Sequence, residues 1–198
     1  MATIGSKVAI AAKGGSAPMD PGMKAKKILL KLLWGTEVDL DLMVFVECKD
    51  GSVIGRYTNL LPPRSKETLG DLAVFPFIKH SGDEGVGGNV KDGGNVETVL
   101  VGKLDDNVKT ITVVALNFDA AKDGTPVPFA PYGAKVEVAN EEGDGFTIDL
   151  NNTAPGVAAV IAKIVNQGDM GAEIQNCSEL YDLDGFFTNV PGAKALQG

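Results

Sequence analysis

The chain has 198 residues, 44% of them hydrophobic, which suits one domain with a sizeable core. Lys and Arg number 18 against 26 Asp and Glu, for a formal charge of −8. Such a surface repels phosphate backbones, so nucleic acid is excluded as a partner while cations are favoured. Two cysteines, Cys48 and Cys177, cannot build a disulfide scaffold and read as free thiols of a reducing compartment. No apolar run nears the ~18 residues of a membrane span. The opening MATIGSKVAIAAKGG has too short an apolar core for a secretory signal, so the expected location is the cytoplasm.

In chain order, Lys7–Ala12 predicts a short strand closed by Gly14 and Gly15. Lys24–Trp34, KAKKILLKLLW, fits a basic amphipathic helix or a strand, and the alternation that follows favours a strand. Val38–Glu47 places Val38, Leu40, Leu42, Val44 and Val46 on one face, with Asp39 and Asp41 on the other. Asp50–Gly51 is a hairpin signal returning the chain through Ser52–Leu60. Leu72–Ile78 contains Pro76 and reads as an edge strand or an irregular entry to the next loop. Val96–Val101 and Thr110–Phe118 are rich in β-branched residues, and the second predicts the centre of a sheet. Asp119–Pro131 reads as a long loop, and Ala134–Ala139 with Phe146–Leu150 as a hairpin around an acidic turn. Pro155–Asn166 has helical spacing at Val157, Val160, Ile161, Ile164 and Val165, but pattern alone does not decide helix from strand. Ala172–Cys177 predicts a strand and Ser178–Asn189 a short capped helix or turn. The sum is a mainly β chain of one domain over residues 1–198, a two-sheet sandwich with loops gathered at one end.

The chemistry concentrates in the glycine-rich stretch Lys79–Glu97. Six of the fourteen residues from Gly82 to Asn95 are glycine, which frees the backbone to turn carbonyls inward. Asp83, Glu84, Asn89, Asp92, Asn95 and Glu97 supply oxygens, the ligands a hard cation such as calcium takes. Asp39 and Asp41 are two apart on a predicted strand and emerge on one face, where they repel each other unless a cation lies between. His80 with Ser81 and Asp83 has the residue types of a hydrolytic triad, but neighbours in one loop lack the geometry, and a bracing or surface role is expected. Zinc is excluded by the shortage of Cys and His. No phosphate-cradling pattern occurs, and Asp182-x-Asp184-Gly185 reads as capping and turn sequence, not an EF-hand loop. The lysines at 24, 26, 27 and 31 offer an acidic partner a contact, or keep a strand face in water.

Taken in order, these features resemble the TerD family of tellurium-resistance and stress proteins. The matching residues are Lys13-Gly14-Gly15, Trp34, Asp39-Leu40-Asp41, Tyr57-Thr58-Asn59, His80-Ser81-Gly82-Asp83 with the glycine-rich loop, and Thr112–Ala120. The resemblance spans roughly Lys7 to Tyr181. It implies a calcium-binding β-sandwich without catalysis, involved in chemical stress and working beside membrane-bound protein partners. The ligands it implies are Asp39, Asp41 and Asp83, with Asp92, Asn95 and Glu97 as poorer matches. The chain departs where the family has a dense acidic run, showing instead Lys91-Asp92-Gly93-Gly94-Asn95-Val96-Glu97. Fewer carboxylates imply one weak site, with affinity toward about 10⁻⁴–10⁻³ M. The same departure, with the high content of small residues, supports a rival expectation: a self-assembling homo-oligomer, filament or scaffold that has lost calcium.

Overall fold

A computed structural model describes residues 6–19, 21–24, 26–58, 67–83 and 94–197. Its strands begin with β1 (Lys7–Ala9), β2 (Ser16–Met19), β3 (Ile28–Trp34), β4 (Leu40–Cys48) and β5 (Val53–Arg56). They continue through β6 (Gly70–Asp71), β7 (Ile78–His80), β8 (Asn95–Val101), β9 (Val108–Asn117) and β10 (Val127–Pro128). The last are β11 (Lys135–Asn140), β12 (Gly145–Asp149), β13 (Pro155–Gly156), β14 (Ala158–Asn166) and β15 (Ala172–Tyr181). Among the described residues there are three short α-helices, α1 (Pro21–Lys24), α2 (Phe118–Asp123) and, after the last strand, α3 (Leu183–Asn189).

Two large sheets form, with strand orders β1-β12-β11-β3-β8-β7-β6 and β2-β15-β14-β9-β4-β5. Between them lies a shared core that includes Leu30, Leu32, Trp34, Leu42, Val44, Val99, Val113, Val138 and Ile164. The mainly β, two-sheet sandwich expected from the sequence is therefore what the chain forms. In β3, Ile28, Leu30, Leu32 and Trp34 are buried while Leu29, Lys31 and Leu33 are half-buried. That period of two decides the Lys24–Trp34 ambiguity for a strand, preceded by the single turn α1. Lys26 and Lys27 pair with Glu142 and Glu141 of the acidic turn between β11 and β12. Cys48 and Cys177 are free thiols, as expected.

The structure refines three readings, one of them left open by the sequence. β4 is buried on both faces, so the face that carries Asp41, opposite Leu40 and Leu42, is covered as well. Pro155–Asn166 contains strand β14, with no helix. Its apolar run suits a strand covered on both sides and coincides with helical spacing only in part, around an irregularity between Val160 and Ala162. The cover is a second apolar cluster in which Met43, Phe45, Val114, Leu116 and Val160 meet Phe186, Phe187 and Val190 of the C-terminal segment. Asp119–Pro131, read as a loop, instead opens with α2. Asn117 caps this helix by accepting the Ala120 N–H, and Gly124 closes it at φ 64°. Asp182 likewise caps α3 by accepting the Gly185 N–H at 2.7 Å, the capping role read from the sequence.

Candidate metal centre

Strand β9 ends at Asn117 and β4 begins at Leu40, directly opposite in register. The residues just before Leu40 are therefore held against the start of α2. Phe118 N–H donates to Asp39 O at 3.0 Å. The turn from Gly35 to Asp39 is pinned from two further directions. Trp34 Nε1 donates to Val38 O at 2.8 Å, and Asn95 Nδ2 donates to Thr36 O at 2.8 Å. Gly94, just before β8, takes φ +101°, and a Cβ there would sit 2.9 Å from Trp34 O. Gly94→Ala is expected to cost about 1–2 kcal/mol, read as a lower melting temperature.

On this frame Asp39, Asp41 and Asp83 come together, with one ligand atom from each lying within 4.8 Å of the others. Asp39 is half-buried, Asp83 exposed, and Asp41 wholly buried at 0% exposure. Among the described residues, neither carboxylate oxygen of Asp41 has a hydrogen-bond partner. A buried carboxylate without donors is costly unless a cation compensates it. Burial pushes the Asp41 carboxyl well above the usual range, and Glu97, Asp39 and Asp83 push it further. Asp39 is raised by burial, then by Asp83 and by Asp119 of α2.

Asn95 and Glu97 stand outside this trio. Asn95 braces the Thr36 carbonyl, as above. Glu97 is 1% exposed, and its Oε2 accepts the Leu42 N–H at 2.6 Å. Strand β5 accompanies β4 only as far as Val44, so Leu42 lies beyond its reach. His80 and Glu97, both carried by the opposite sheet, hold the backbone there: His80 Nε2 meets Leu42 O at 2.7 Å. His80 is 1% exposed, and burial lowers its pKa from the ordinary value despite that bond. The histidine braces the structure, one of the two roles its loop position suggested. Asp92 and most of the glycine run, residues 84–93, lie outside the described residues.

No protein-family model matches the chain, and no curated protein matches it in sequence. Solved structures do match. A homologue of the telluride resistance protein TerD from Streptomyces coelicolor A3(2) aligns with a TM-score of 0.51 at 14% identity, covering 82% of this chain and 95% of that one. A protein of unknown function aligns with a TM-score of 0.55 at 12% identity, covering 87% and 95%. The chain has a TerD-like fold. Within this TerD-like sandwich the three aspartates can hold a metal ion, and their chemistry selects the kind. All three donors are carboxylate oxygens, which suit a hard cation. Their separations do not exceed about twice the calcium–oxygen distance of about 2.3–2.6 Å, so one coordination sphere can span them. Among the described residues, the three carboxylates supply fewer oxygens than the six to eight calcium takes. Asp119, not singled out as a ligand from the sequence, adds negative potential beside Asp39; its place directly after a β-rich strand was the available signal.

Proposed function

We propose that this TerD-like protein binds one calcium ion weakly through Asp39, Asp41 and Asp83 and acts without catalysis. The ion would hold the end of the sandwich in one shape for protein partners beside the membrane, in a cytoplasmic stress response such as the family resemblance implies. No helix among the described residues is long and apolar enough to cross a membrane itself. The observation that carries the reading is the Asp41 carboxylate, wholly buried and with both oxygens unsatisfied, beside two further carboxylates. Like charges gathered around a buried carboxylate make sense if a cation supplies the missing partner. The ion's contribution would be charge compensation: Asp41 binds from within the fold, Asp39 from the pinned turn, and Asp83 from the mouth of the loop.

The test is a thermal melt in excess EDTA and then in ~5 mM calcium. A site of about 0.1 mM affinity adds about 2 kcal/mol by mass action, a rise of several degrees at this size. The rise is expected for the wild type and not for the Asp39→Ala/Asp41→Ala variant. No rise, or one that survives both substitutions, overturns the reading.

A further inference from the structure

We infer that His80 is the positioning residue of this centre, tying the backbone beside Asp41 to the backbone beside Asp83 through its two ring nitrogens. The inference rests on the calcium reading and adds what sets the geometry of the site. Gly82 N–H donates to His80 Nδ1 at 3.0 Å, which assigns the lone pair to Nδ1 and the proton to Nε2. Nε2–H then donates to Leu42 O at 2.7 Å. Leu42 follows Asp41 directly, and Gly82 directly precedes Asp83. The neutral ring thus spans the two segments that carry two of the three carboxylates, one residue away from each.

These carboxylates repel each other, and the ring's bond to Gly82, added to the two bonds that fasten Ser81 to Thr98 of β8, opposes the separation of Asp83 from buried Asp41. Glu97 completes the tie from the neighbouring strand by accepting the Leu42 N–H, so both polar backbone atoms of Leu42 are held by side chains of the opposite sheet. Gly82 takes φ +106°, a turn that returns its N–H to the ring of His80. Groups that orient metal ligands without touching the ion typically change affinity 10–100-fold when removed. A histidine that only fastened one sheet to the other would leave ion affinity unchanged once the protein had folded.

The two bonds can be separated chemically. In His80→Gln the amide nitrogen takes the place of Nε2 and keeps the Leu42 bond. In His80→Asn the amide oxygen takes the place of Nδ1 and keeps the Gly82 bond. Calcium titrated calorimetrically into chelator-stripped protein is expected to bind each variant at least about tenfold more weakly than wild type, and Asp41→Asn not at all. If either His80 variant binds like wild type while Asp41→Asn fails, the site stands and the bridge is overturned. If wild type shows no binding, the calcium reading has failed, and the bridge is judged separately. The one imidazole then gives a single nitrogen spectrum in chelator, expected to show the Nε2–H tautomer with a slowly exchanging Gly82 amide. The Nδ1–H tautomer, or a freely exchanging Gly82 amide, overturns it. This measurement also decides the case if the substituted proteins do not fold.

Discussion

In excess chelator, Asp41→Asn is expected to melt above the wild-type protein. The substitution keeps the side-chain volume and removes a charge that is buried, lacks hydrogen-bond donors and is repelled by Glu97, Asp39 and Asp83. Removing that penalty adds about 2 kcal/mol, or roughly 4–8 °C for a chain of this size. The pH dependence has a definite sign. Burial raises the folded-state pKa of Asp41 above its unfolded value of about 3.9, so the folded protein binds more protons between the two. The penalty is absent below the unfolded pKa, grows as pH rises from there toward the folded pKa, and is constant above it. The advantage of Asp41→Asn should therefore widen from acid to alkaline pH. His80 shifts the other way, because a lowered histidine pKa costs stability as pH falls, but it is common to both proteins and cancels in the difference. Adding ~5 mM calcium should close most of the gap, since wild type gains about 2 kcal/mol from the ion and the variant does not. Melting curves at three pH values, with chelator and with calcium, check all of this. A variant less stable than wild type in chelator would show that Asp41 has a favourable partner in solution, and the metal reading would lose its support.

Phe186→Ala is expected to cost about 3–5 kcal/mol, lowering the melting temperature by roughly 10 °C. Phe186 is fully buried, 6.1 Å from the Phe45 ring and 5.4 Å from the Phe187 ring. It joins the C-terminal helix to the outer face of β4, where Met43 and Phe45 would otherwise face water. Truncating the ring leaves a cavity and loosens the cover of that face, so lost transfer energy and lost packing add. Urea unfolding monitored by Trp34 fluorescence measures it. A loss below ~1 kcal/mol would mean that α3 does not dock on the sheet in solution.

Much of the fold was legible because alternation along a strand with one wet face is visible in sequence. β3 shows it through Leu30, Leu32 and Trp34, β8 through Val99 and Val101. β4 was legible as a strand, though not the cover over its Asp41 face; β14 resisted, since its strand is apolar on both faces and so mimics helical spacing. α2 was missed because its six residues are too few for a periodic stripe, leaving only a cap at Asn117 and a stop at Gly124. In the site, Asp39, Asp41 and Asp83 were picked out by residue type and by the resemblance they carry. Asn95 and Glu97 carry the same oxygens, yet their places in β8 turn them toward backbone groups at Thr36 and Leu42.

By itself the sequence determined the acidic charge, the mainly β composition and the residues able to hold a hard cation, because these follow from side-chain chemistry and local period. Tertiary structure alone decided which of those oxygens meet. Asp41 and Asp83 are 42 positions apart, and they converge only when the two sheets pack. The strand edge left open beyond β5 is then closed by His80 and Glu97. Burial of Asp41 has the same origin. Its charge costs little in an extended chain and becomes the dominant local term once the sandwich and its C-terminal cover exclude water.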